Sequence, residues 1–106
     1  MSTSLIAIAQ LNPIVGDLAG NAAAIVQAAQ QAHARGARLL LTSELSLCGY
    51  PPEDLLLRDS FMQACAQTLQ QIAVELSDCE GLHVVVGHPH QFGARVHLFL
   101  VLRVRR

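Results

Sequence analysis

The sequence predicts an α/β fold built on a parallel sheet, and three observations carry that prediction. Short apolar runs at Leu5–Asn12, Leu39–Leu41 and Val84–Val86 alternate with two long stretches of helical periodicity. The middle run, Leu39-Leu40-Leu41, is apolar at successive positions, as a strand covered on both faces must be, whereas a half-wet antiparallel strand alternates. The breaks fall between these segments: Pro13 with Gly16, then Gly36, then Gly49 with Pro51 and Pro52, then Gly81.

Leu5–Asn12 reads as the first strand, closed by the Asn12-Pro13 dipeptide, which disfavours further pairing. After a turn at Gly16-Asp17, the positions Ala22, Ile25, Val26, Ala29 and His33 repeat at helical spacing in an alanine-rich segment. The spacing predicts a helix from Leu18 to Arg35, with Asp17 as N-cap and Gly36 as stop. Leu39–Leu41 follows as the second strand and completes a βαβ unit. Asp59 opens a second helix with a stripe of Phe61, Cys65, Leu69, Ile72 and Leu76, ending between Ser77 and Gly81. His83–Gly87 is a third buried strand. Val96–Val104 is expected as a fourth, reached through the hairpin-like link Gln91-Phe92-Gly93-Ala94. The expected order is therefore β-α-β-α-β-β.

Composition narrows the function classes. The chain has 106 residues, 52% of them hydrophobic and 14% charged, with a net charge of −1, which suits a folded domain and not a disordered one. All seven basic residues are arginine, so any step that needs a lysine ammonium requires a group from outside this sequence. The near-neutral balance argues against nucleic acid as a partner, and the crowding of Arg95, Arg103, Arg105 and Arg106 reads as a solvated tail. Leu5–Ala9 is too short for a signal core or a membrane span, so a cytoplasmic protein without a membrane partner is expected. Cys48, Cys65 and Cys79 form no CxxC pair, which points to reduced thiols.

Open α/β sheets bind ligands beyond the carboxyl ends of their strands, so the segment Glu44–Pro52 is the expected site. Glu44 follows the second strand directly; a carboxylate there is poorly solvated and its pKa is raised toward the range of a general base, although an ordinary polar strand end has the same look. Tyr50 lies in the same loop. Glu53 and Asp54 follow Pro51-Pro52 in the pattern of a helix start, where acids favour the amino end. Cys48 reads as a weakly reactive thiol, since no histidine is near it in sequence, and Cys65 as core. Cys79, His83, His88 and His90 are metal-type residues without a paired spacing, so no metal site is expected. There is no P-loop and no GxGxxG, hence no nucleotide-phosphate cradle.

Three segments carry a family resemblance: Ala9-Gln10-Leu11-Asn12-Pro13 with Val15-Gly16-Asp17-Leu18, then Ser43-Glu44-Leu45-Ser46-Leu47-Cys48-Gly49-Tyr50-Pro51-Pro52-Glu53-Asp54-Leu55-Leu56, and Val86-Gly87-His88-Pro89. From Leu5 to Pro89 the chain resembles the start of the glutaminase domain of the glutamine-dependent NAD synthetases, within the nitrilase (carbon-nitrogen hydrolase) superfamily. The resemblance implies a partial αββα sandwich. It also implies hydrolysis of glutamine to supply ammonia for NAD biosynthesis, through a Glu, a Lys and a Cys. Glu44 matches the glutamate, the general base toward the cysteine, and Tyr50 matches the loop tyrosine beside the glutamine pocket. The family's lysine and nucleophilic cysteine lie beyond these residues, and Cys48 is not that nucleophile. No cofactor is implied for this chain; ATP and Mg²⁺ belong to the separate synthetase (ligase) domain of such enzymes.

After Phe92 the sequence departs from the family pattern and ends in arginines, so residues 93–106 read as a divergent tail and residues 1–106 as a truncated or frame-shifted start of a longer domain. Such a piece is expected to be inactive alone and to self-associate or aggregate through the sheet face it leaves bare. Two other readings stay open: the start of another nitrilase-type amidase, against which the Tyr50–Asp54 run speaks, and a non-catalytic interaction module.

Overall fold

The computed structural model describes residues 5–43, 46–49, 58–92, 95–98 and 101–103. Its elements run β1 (Leu5–Ile8), α1 (Leu18–Ala34), β2 (Ala37–Leu41), α2 (Asp59–Glu75), β3 (His83–Val85), β4 (Pro89–Phe92), β5 (Arg95–Leu98) and β6 (Val101–Arg103).

β1 stops at Ile8, four residues before the expected Asn12; only the Ala9 N–H extends the pairing, donating to Leu41 O at 2.9 Å. The carboxylate of Asp17 caps α1 by accepting from the Gly20 N–H at 3.0 Å. Gly36, at φ +86°, turns the chain out of the helix in a conformation that costs a side-chain-bearing residue strain. α2 has no side-chain cap, and Asp59 sits in its first turn, where the helix dipole favours a negative charge. Of its expected stripe, Cys65, Ile72 and Leu76 are buried while Phe61 and Leu69 are half-buried, and Met62 joins the buried face.

β1, β2 and β3 are parallel neighbours in that order, and β6 adds to β3 in antiparallel fashion. β4 and β5 form a separate antiparallel pair. The single fourth strand expected over Val96–Val104 is thus two strands. β3 has only three residues and pairs with Val101–Arg103, so a nine-residue strand has no partner of its length; Arg95–Leu98 pairs instead with Pro89–Phe92.

Both helices cover one face of the sheet. Ile25, Ala29, Leu40, Ile72, Leu76, Leu82, Val84 and Val86 meet there in one core, and the small side chains of Ala22, Ala29 and Ala32 bring α1 close. Leu39-Leu40-Leu41 divides as a pleated strand must: Leu40 is 1% exposed on the helix side, while Leu39 and Leu41 are half-buried on the other. Ile6 and Ile8, in register with Leu39 and Leu41, are 55% and 73% exposed. The sheet is therefore apolar on both faces, but among the described residues helices cover only one of them, where the sequence leads one to expect cover on both.

Candidate active site

The carboxyl ends of β2 and β3 are joined by a small hydrogen-bond network. Thr42 Oγ1 donates to Val85 O at 2.7 Å and accepts from Ser46 Oγ at 2.8 Å, and the Gly87 N–H donates to it at 3.3 Å. The backbone joins in: the Leu47 N–H donates to Gly87 O at 3.0 Å, and the Ser46 N–H to Ser43 O at 3.1 Å. Ser46, Leu47 and Cys48 are buried, and Ser46 is satisfied by Thr42, so the segment after β2 is pinned to the end of β3.

A second set of contacts pins the same segment to the loop after β1. Gly16 N–H donates to Cys48 O at 3.0 Å, and Asn21 reaches both loops from α1. Gly49 lies against that loop at φ +72°; a Cβ there would stand 3.1 Å from Val15 Cα. Gly49→Ala is therefore expected to destabilise the chain by about 1–3 kcal/mol, because it combines a strained backbone with a backbone clash. A fall in the urea midpoint checks this. A cavity of about 130 Å³ opens between the two loops, with Asn12, Pro13, Asp17 and Ser46 on its wall. A larger one, about 370 Å³, lies between β1 and α1 and contains Arg35 but no carboxylate or thiol.

Cys48 and Cys65 are 0% and 1% exposed. Cys48 Sγ donates to Gly49 O at 3.3 Å and takes a hydrogen bond from the Cys65 thiol. That bond holds Cys48 below the ordinary thiol range against the opposing effect of burial, and the same bond, aided by burial, pushes Cys65 far up. Burial and the nearby Asp78 charge raise Cys79. The Cys48 and Cys65 sulfurs both lie in the core cluster, where the sequence reading puts Cys65.

Glu44 and Tyr50, like Glu53 and Asp54, lie outside the described residues, as does His90 as a side chain. The described residues flank Glu44 on both sides, with Thr42-Ser43 before it and Ser46–Gly49 after it. Among the described residues no three His, Cys, Asp or Glu side chains come together as a metal site, and no helix is long and apolar enough to cross a membrane. The Thr42–Ser46–Gly87 network and Asn21 escaped the sequence reading. Asn21 left one signal: a weak helix former set among alanines.

The profile of the carbon-nitrogen hydrolase family matches residues 5–99, and the parallel β-α-β-α-β start agrees with it, so the chain belongs to that family. Within the family its sequence is similar to glutamine-dependent NAD(+) synthetases, and its structure to synthetases and amidases alike. It is 51% identical over 90 residues to the glutamine-dependent NAD(+) synthetase of Synechocystis sp., a match that covers 85% of this chain and 16% of that protein. The crystal structure of a glutamine-dependent NAD(+) synthetase from Cytophaga hutchinsonii superposes with a TM-score of 0.86 at 25% identity, over 97% of this chain and 17% of that one. A mutant of the amidase from Nesterenkonia sp. AN1, showing the result of Michael addition of acrylamide at its active site cysteine, superposes with a TM-score of 0.73 at 26% identity, over 92% and 39%. The chain corresponds to the N-terminal part of the synthetases and spans about a sixth of their length.

Proposed function

We propose that these residues form the start of a glutaminase domain, in which Glu44 is the general base and Tyr50, with the Gly49–Pro52 loop, walls the glutamine pocket. The observation that carries this reading is the 51% identity to a glutamine-dependent NAD(+) synthetase across a 90-residue stretch, which in a chain of 106 residues must include Ser43–Leu56. Glu44 takes the proton of a cysteine thiol that lies outside these 106 residues. The thiolate attacks the side-chain amide of glutamine while a lysine, also outside these residues, holds the tetrahedral oxyanion; the amide nitrogen leaves as ammonia with the proton returned by Glu44, and water, giving a proton to Glu44, cleaves the thioester to glutamate and the free thiol. The ammonia then serves amidation of nicotinic acid adenine dinucleotide on a separate synthetase domain that uses ATP and Mg²⁺. The alternative, another nitrilase-type amidase, accounts less well for the Tyr50–Asp54 run.

A graft tests the reading. With residues 5–89 of this chain in place of their counterparts in the Synechocystis relative, the hybrid is expected to release ammonia from glutamine. A folded hybrid that turns over short aliphatic amides and leaves glutamine untouched would support the amidase instead.

The apolar face carrying Ile6, Ile8, Leu39, Leu41 and Val85 is the one on which an αββα sandwich lays its second sheet. In the isolated chain it is the surface through which copies associate. Sedimentation is expected to show oligomers that Ile8→Lys shifts toward monomer; an oligomer unmoved by that change places the contact elsewhere.

A further inference from the structure

We infer that Asn21 is the positioning residue for the segment that carries Glu44. The inference rests on the general-base reading of Glu44 and adds to it the device that sets the base in place. Asn21 is 5% exposed and uses three of its four hydrogen-bonding capacities on backbone that is not its own helix. Its Oδ1 accepts from the Ile14 N–H at 2.9 Å, while Nδ2 donates to Ile14 O at 2.8 Å and to Leu47 O at 2.9 Å. Ile14 belongs to the loop after β1, and Leu47 stands three positions past Glu44. One side chain, anchored in the first turn of a capped helix, therefore fastens both loops at the carboxyl edge of the sheet.

The other bonds at this edge depend on that fastening. Gly16 N–H reaches Cys48 O at 3.0 Å only if the two loops stay side by side, and Leu47 N–H reaches Gly87 O at 3.0 Å only if the Leu47 peptide keeps its orientation. A buried carbonyl that loses its amide partner must find another or move toward water. Asn21 is placed to decide whether the Ser46–Gly49 segment, which follows Glu44 in the chain, stays down.

Amide exchange of the full 106-residue chain, read residue by residue, tests this with two variants. Asn21→Asp keeps the volume and the acceptor for the Ile14 N–H but removes both donors; Asn21→Ala removes everything. In Asn21→Asp, protection at Gly16 and Leu47 is expected to fall at least about tenfold while Ile14 and the α2 amide of Leu76 stay within about threefold of the parent. In Asn21→Ala, Ile14 falls as well. If Asn21→Ala fails to fold, Asn21→Asp carries the test. Unchanged protection at Gly16 and Leu47, or an equal fall that includes Leu76, overturns the inference: the first shows that the clamp holds nothing, the second that Asn21 serves overall stability alone. In the Synechocystis graft, Asn21→Asp is further expected to lower kcat for glutamine hydrolysis at least about tenfold while NAD synthesis from added ammonium is unchanged. Retained kcat despite loosened amides also overturns it. Failure of the Glu44 reading itself would appear differently, as an active Glu44→Gln graft with the exchange pattern intact.

Discussion

Glu44→Gln in the grafted domain is expected to lower glutamine hydrolysis about 10²–10⁴-fold, the usual contribution of a positioned general base. The amide has the shape of the carboxylate but cannot accept a thiol proton, and a cysteine of ordinary pKa is mostly protonated at neutral pH. Glutamine binding should change far less, because the reading gives the pocket wall to Tyr50 and the Gly49–Pro52 loop. The loss therefore falls on kcat, and NAD synthesis driven by added ammonium is untouched. Steady-state ammonia release against glutamine concentration separates the two terms. A variant that keeps kcat within a few-fold of the parent would mean that Glu44 is an ordinary strand-end carboxylate.

The largest expected loss of stability follows from Leu40→Ala, at about 2–5 kcal/mol. Leu40 is 1% exposed at the centre of the sheet, in register with Ala7 on one side and Val84 on the other, and the helices close over it. Against a typical total of about 5–15 kcal/mol, such a loss takes the chain close to unfolding. Leu39→Ala provides the contrast, since Leu39 is half-buried on the face that carries no helix and should cost clearly less. Urea titrations followed by circular dichroism compare the two. A Leu39 variant as damaging as the Leu40 variant would show that the opposite face is buried equally well in solution.

How much of this was legible in the sequence depends on the range of the forces involved. The start and stop of α1 are written locally, in Asp17 and Gly36, and the structure has both in those roles. The parallel character of β2 is equally local, carried by three consecutive leucines. The pairing of Arg95–Leu98 with β4 and of Val101–Arg103 with β3 is not, because it depends on which distant strand offers a partner of matching length; a continuous apolar run conceals that division. The candidate site shows the same contrast. Glu44 and Tyr50 stand out through the Ser43–Leu56 motif. Asn21 and Thr42 act on backbone brought near only by folding, and neither belongs to a motif. Cys48, which attracts notice beside the motif, is packed against Cys65 and sealed from solvent.

On the general-base reading, Glu44 serves a site whose nucleophile and lysine come from outside these 106 residues. Ammonia release from glutamine by the purified chain, with Glu44→Ala and Cys48→Ser beside it, tests that claim most directly. No release above background is expected from any of the three. Turnover by the parent that both substitutions abolish would contradict it, for then Cys48 would be the nucleophile and the site would be complete within this chain.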